Sequence, residues 1–400
     1  MLLKFNNVYS GLPLKVCTVA VAFLSMQVMA IEVGENSEVH GFFSQSYINT
    51  DNNNYFGQSR DGSFDFREAG INILYQARPD LHFAAQVISR KAGKTDDGDP
   101  RLDYGLLDYT FLDQDGWRSG MRLGRTKTPF GFYNLTRDIP NARPGVFVPP
   151  SIYFEQLRNS LIATDGGNLY ADLNRDWGSL SFNLYSGQTD TDVEAEYYVV
   201  QQDLPGKFDD ANMRGAQLLY EDLGGSLRLA LTYAHPDFDY KPGAADPFGA
   251  AHVESDMWLY SVQYNQEQWS LTAEYLTSDN TVEGLVILPD RDSNTEAFYL
   301  QGDYRLTSDI TAYLRYEEQT LDTNDRDGTE FYQPLFGAAH IAFAKNWVIG
   351  GRWNFTPNWM IGAEVHQTRG TLWLPKSDNP SLLDREDNWG MFAMQLVYSF

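Results

Sequence analysis

The sequence predicts an all-β protein: a transmembrane antiparallel β-barrel of about 16 strands, with one long connection folded inward as a constriction loop. Three observations predict it. A period-two alternation of apolar and polar residues recurs along the chain, which puts successive side chains on opposite faces of a strand. Short and long connections alternate strictly between these runs. After the first thirty residues no apolar run is long enough for a membrane-crossing helix.

The N-terminus comes first in the chain and is unlike the rest. Lys4 and Lys15 precede an apolar stretch from Val16 to Leu24, and Val28-Met29-Ala30 supplies a small-residue cleavage end. Residues 1–30 therefore read as a secretory signal peptide, and residues 31–400 as one barrel domain without a linker or a composition break. The single cysteine, Cys17, lies in this leader, so the remaining chain has no disulfide to use. Its stability must come from a core or from backbone pairing in a membrane, which points to the bacterial envelope.

The alternation is clearest at the C-terminus, where Phe392, Met394, Leu396, Tyr398 and Phe400 share one face and Ala393, Gln395 and Ser399 the other. It returns at Leu227–Tyr233, Trp269–Tyr275, Ile310–Tyr316 and Trp359–Val365, with Tyr and Trp mostly at the strand ends. Aromatics at the ends and aliphatics between them are what two interfacial girdles around an apolar band require. The opposite faces carry Arg228, Glu274, Arg315, Glu317, Glu364 and His366, which a wide barrel would turn toward water.

Seven short polar turns stand at Arg78-Pro79-Asp80, Asp113–Gly116, Arg175–Gly178, Asp222–Gly225, Asn265–Gln268, Leu306–Asp309 and Thr356-Pro357-Asn358. Eight longer connections alternate with them, at about 50–62, 91–101, 127–167, 187–211, 236–254, 279–294, 320–344 and 370–387. Fifteen connections join sixteen strands, with one rim of turns and one of loops. A sixteen-strand barrel leaves an aqueous lumen, so the expected role is passive diffusion of small hydrophilic solutes.

The connection after the fifth strand carries the specificity. From Arg118 to Arg158 there are seven basic residues and two acids, a local net of +5 in a chain whose formal net charge is −24. Rich in aromatics and proline, the loop is too apolar to stand in solvent and is expected to fold against the inner wall. Arg125, Lys127, Arg137, Arg143 and Arg158, with Asp138 and Glu155 as orienting partners, are the expected constriction; Arg315 and Arg352 are expected on the facing wall. Such a ring concentrates anions, unless acids on the opposite wall pair with it. Parity adds a condition: Arg125 and Lys127 share a face with Met121 and Leu123, whereas Arg122 shares the other with Gly120 and Gly124. Either a bulge near Gly124 switches faces or the strand ends by Arg125. Phe130, Phe132, Tyr133, Phe147, Tyr153 and Phe154 read as loop core, with a sugar-stacking slide as the sharper alternative.

The run Gly124-Arg125-x-Lys127-x-Pro129-Phe130-Gly131-x-Tyr133-Asn134, with Thr136-Arg137-Asp138-x-Pro140, Arg143-Pro144 and Pro150-Ser151-Ile152-Tyr153, resembles the constriction-loop region of Gram-negative outer-membrane porins. The branch that includes phosphate-selective porins O and P is the nearest likeness. Terminal Phe400 behind an alternating strand resembles the recognition signal of the barrel-assembly machinery. The resemblance implies a homotrimer of sixteen-strand barrels in the outer membrane, each monomer conducting, among lipid and lipopolysaccharide.

Other features exclude or narrow. An excess of 54 acidic over 30 basic residues argues against nucleic-acid binding. Asp96–Asp99 and Asp322–Gly328 lack the spacing of a calcium loop and read as solvated outer loops. The six histidines (40, 82, 235, 252, 340, 366) are scattered, and no nucleophile elbow, P-loop or dinucleotide fingerprint occurs, so no metal, cofactor or catalytic residue is expected. The alternatives are an outer-membrane barrel hydrolase and a loop-displaying adhesin or receptor. Alternation begins by Val39, leaving no room for an N-terminal plug.

Overall fold

The computed structural model describes residues 31–32, 36–200, 205–209, 211–244, 246, 249–284 and 291–400. The expected leader, residues 1–30, lies outside them.

Sixteen long strands form one closed antiparallel sheet: β1 Ser37–Thr50, β2 Ser63–Arg78, β3 Leu81–Ala92, β4 Asp96–Gln114, β5 Trp117–Lys127, β6 Ala163–Arg175, β7 Gly178–Thr189 and β8 Ala211–Asp222. The second half is β9 Leu227–Lys241, β10 Ala251–Asn265, β11 Trp269–Glu283, β12 Arg291–Arg305, β13 Ile310–Thr320, β14 Phe343–Thr356, β15 Trp359–Arg369 and β16 Asn388–Ser399. Each pairs with its chain neighbour, and β16 pairs with β1 to close the ring, Phe42 opposite Ser399 and Thr50 opposite Met391. Closure leaves no edge, the condition for a sheet to stand in lipid. Two-residue strands at Ile31–Glu32 and Lys207–Phe208 extend the rims.

All seven short turns fall where the sequence places them, on one rim. The long connections lie on the other, three of them much shorter than expected: those at 91–101, 236–254 and 279–294 shrink to 93–95, 242–250 and 284–290. The first of the three is short because the Asp96–Asp99 run, expected in a solvated loop, starts β4. Arg101 draws Asp96 into the wall at 2.6 Å, with Arg90 at 3.6 Å. The second acidic run is not fully solvated either. Asp322 contacts Arg291, and Asp325 accepts the Phe331 N–H at 2.9 Å, so both are buried.

Outward residues form the apolar band, with Leu123, Leu169, Leu231, Leu300 and Ile349 among the exposed. Aromatics edge it in two rows. Toward the loops, Tyr233 and Trp258, Tyr260 and Tyr275, and Tyr316 and Trp347 lie side by side. Toward the turns stand Trp177 with Tyr220, Tyr264 with Trp269, and Trp359 with Tyr398. This double row suits a headgroup layer at each end of the band.

The outer loops pack on one another rather than splaying. Helix α1 (Arg158–Ile162) ends the 128–162 connection and α2 (Val193–Val200) lies in the next. Glu194 of α2 accepts the Lys376 and Ser377 N–H groups, and Asp378 accepts the Gly57 N–H at 2.9 Å, so 190–200, 370–387 and 51–62 form one canopy. Its underside touches the lumen loop where Gln156 donates to the Leu372 carbonyl.

Candidate functional site

The connection between β5 and β6, residues 128–162, enters the lumen and crosses it. Prolines at 129, 140, 144, 149 and 150 remove N–H donors from a segment that has few places to satisfy them. Wall carboxylates meet several of the donors that remain. Glu274 of β11 accepts the Phe132 N–H at 3.0 Å and the Tyr153 hydroxyl at 2.6 Å. Glu364 of β15 accepts the Val146 N–H at 3.0 Å, and Glu317 of β13 takes the Ser151 hydroxyl at 3.3 Å. Glu68 of β2 pairs with Arg143 at 2.6 Å.

These four glutamates are at most 1% exposed. Further donors add to the ring: Gln217 to the Gly131 carbonyl, Gln301 to that of Pro144 and the Arg352 guanidinium to that of Arg143. The loop thus bonds to the wall from β2 round to β15, making a bridge where the sequence predicts a narrowing against one side. Two close approaches to the wall fall at glycine. A Cβ at Gly145 would stand 2.1 Å from Glu364 Oε1, and one at Gly131, where φ is +57°, 2.6 Å from Glu274 Oε1.

The cations in and beside the loop gather against β2–β4 and are matched by acids. Asp138 contacts both Lys127 and Arg158, and Lys127 also reaches Asp103 of β4 at 2.5 Å. Glu155 meets Arg90 of β3 at 2.5 Å and Arg137 at 3.5 Å. Arg90 continues to Glu68 and Asp96 at 3.5 and 3.6 Å. Arg90, Lys127, Arg137, Arg143 and Arg158 thus stand against Glu68, Asp96, Asp103, Asp138 and Glu155. Burial opposes the Asp138 charge, but Arg158 and Lys127 outweigh it and hold the carboxyl well below the usual carboxylate range.

Of the expected constriction, the structure brings together Lys127, Arg137, Asp138, Arg143, Glu155 and Arg158. Arg125 lies apart. The ladder runs unbroken through Gly124, which takes φ +119° without a register shift, so Arg125 keeps the parity of Leu123. It pairs at the rim with Asp165 and Asp190, at 2.8 and 2.7 Å. Arg315 is on the inner wall but does not face water: it is 0% exposed under the loop, bonded to Glu317 and Gln301. Glu274, Glu317, Glu364 and His366 are likewise buried, whereas Arg228 stays half-exposed over the Phe132 ring. The loop aromatics Phe130, Phe147, Tyr153 and Phe154 are buried as loop core.

Glu68, Arg90 and Asp103 were not among the residues singled out from sequence. Inward parity marks Glu274, Glu317 and Glu364, but nothing in the alternation says that a loop will cover them.

No family model matches the chain, and no curated protein matches it. Solved structures do. The trimer form of OmpT, an outer membrane protein of Vibrio cholerae, is similar with 13% identity over 91% of this chain and 99% of that one, at TM-score 0.58. OmpF of Salmonella typhi, in complex with daunomycin, shares 14% identity over 91% and 98%, at 0.54. An anion-selective porin from Comamonas acidovorans shares 11% over 91% and 99%, at 0.53. At such identities the likeness is one of fold, and the fold is that of outer-membrane porin barrels.

Proposed function

We propose that the chain is a porin of the bacterial outer membrane, a channel through which small hydrophilic solutes diffuse passively, and not an enzyme. One observation carries this reading: a closed sixteen-strand barrel whose lumen is crossed by one internal loop bonded to the wall. The anion preference expected from seven basic residues is proposed only in a weak form. Five of the cations near the loop meet five acids, so little uncompensated positive field is left to select ions. For the same reason we assign no phosphate preference, which would need cations free to bind.

Assembly as a homotrimer is proposed from the resemblance and from the trimer form of the similar barrel. Lipid, lipopolysaccharide and the barrel-assembly machinery are the partners that go with that location. The test is a planar-bilayer recording of refolded protein under a KCl gradient. Stable steps with a reversal potential slightly toward chloride are expected. A folded barrel that gives no steps would sink the channel reading, and strong anion selectivity would sink the charge-balanced one.

A further inference from the structure

The inner wall of β9–β12, in its outer half, breaks the rule that lumen positions of a channel are polar. The register sets it out in tiers. Phe238, Val253, Val282 and Arg291 are successive partners across the four strands, nearest the rim. Below them lie Ser255, Asn280 and Ser293, and below those Met257, Ser278 and Thr295. Opposite, the lumen loop presents Phe154, Leu157 and Leu161, and Tyr332 closes one side. The space between is a cavity that opens to solvent on one side. Its character is that of a small-molecule site, apolar walls with a few convergent polar groups.

The polar groups define what would fit. Ser255 and Ser278 both donate to Asn280 Oδ1 at 2.8 Å, and Asn280 Nδ2 donates to Thr295 Oγ1 at 3.0 Å. With their protons committed, the two serine oxygens present lone pairs to the cavity and call for a donor on the ligand. Among the described lining residues the one charged side chain is Arg291, already in contact with Asp322 and stacked 3.7 Å over the Phe331 ring. A ligand charge would find no unmatched partner and would lose hydration.

We propose that this cavity binds an uncharged, mainly hydrocarbon small molecule bearing a hydroxyl or N–H donor, the donor on the Ser255 and Ser278 oxygens and the body against Met257, Val253 and the loop leucines. The site lies between the lumen loop and the outer half of β9–β12, and its binding can be read apart from conduction.

The test is calorimetric titration of the refolded barrel in nanodiscs with 2-naphthol, beside 2-methoxynaphthalene, which has the same body and no donor, and 2-naphthalenesulfonate, which is an anion. Saturable one-site binding of 2-naphthol is expected, preferred over both relatives. Met257→Trp fills the space and should weaken it by about tenfold or more, with Val253→Phe as the alternative if that variant does not refold. Ser255→Ala with Ser278→Ala should weaken 2-naphthol by about fivefold and abolish its preference over the methoxy compound. Val262→Leu, facing lipid on the same strand, should change nothing. Uptake that is linear and equal in empty nanodiscs, stronger binding of the sulfonate, or indifference to the cavity-filling variant would overturn the proposal. A barrel that conducts but does not bind 2-naphthol overturns this inference alone and leaves the channel reading standing.

Discussion

Two sectors of the same lumen receive the inward loop in opposite ways. Against β2–β4 the loop is held by charge: Glu68, Arg90, Asp96, Asp103, Asp138 and Glu155 interlock with Lys127, Arg137, Arg143 and Arg158. Against the outer half of β9–β12 it is faced across a cavity by Phe238, Val253 and Met257. The first sector is tight and specific, since each buried charge costs several kcal/mol unless a partner sits in the right place. The second is tolerant, because dispersion and burial are non-directional and here leave space unfilled. The pairs fix where the loop lies, and the greasy side leaves room for something else.

The comparison breaks if the ionic sector proves tolerant. Arg90→Met should have the largest effect, because a side chain 4% exposed that faces Glu68, Asp96 and Glu155 would leave three carboxylates short of a partner. A loss of about 3–5 kcal/mol is expected in urea unfolding from nanodiscs, and a loss under 1 kcal/mol would contradict the account. Asp138→Asn should follow. It leaves Lys127 and Arg158 without their shared acid, so the reversal potential under a KCl gradient should move toward chloride. No movement would place the cluster away from the ion path.

Two smaller effects sharpen the contrast. Val253→Ala, on the neutral side, should cost about 1 kcal/mol in the same unfolding assay, because part of its surface already faces empty space. A loss near that of Arg90→Met would mean the cavity wall is packed after all. Arg125→Gln should be the mildest, with stability changed by about 0.5 kcal/mol or less and the reversal potential unmoved, since its partners Asp165 and Asp190 are both more than half exposed. A selectivity change there would return Arg125 to the pore.

The frame was legible in the sequence because it obeys local rules. Arg78-Pro79-Asp80 and Thr356-Pro357-Asn358 announce turns by their own chemistry, and Trp269–Tyr275 alternates whatever lies beside it. The site was legible in membership and not in pairing. That 128–162 would turn inward follows from its prolines and aromatics. That Arg143 would meet Glu68, 75 positions away, and Val146 would meet Glu364, 218 positions away, depends on the diameter and register of the finished barrel. The net of +5 belongs to the window 118–158 alone, and its counter-charges Glu68, Asp96 and Asp103 lie outside that window, on the wall. Arg125 misled because its neighbours in sequence go inward while its own partners stand on β6 and just past the end of β7. The cavity's signal lies in the alternation itself, where Phe238, Val253 and Met257 put hydrocarbon at positions that call for polar residues.

The seam between β1 and β16 has a consequence for how such a chain comes to be folded. Phe42 and Ser399 are direct partners although nearly the whole barrel lies between them in sequence, so this contact is among the most expensive in chain entropy and brings no reward until every other strand is aligned. Until it forms, two strands of 14 and 12 residues present rows of unpaired N–H and C=O groups, templates for association with any other chain. The unclosed chain is therefore a species to be kept short-lived or escorted, and a weakened seam should appear first as poor yield and aggregation, well before it registers as a less stable barrel.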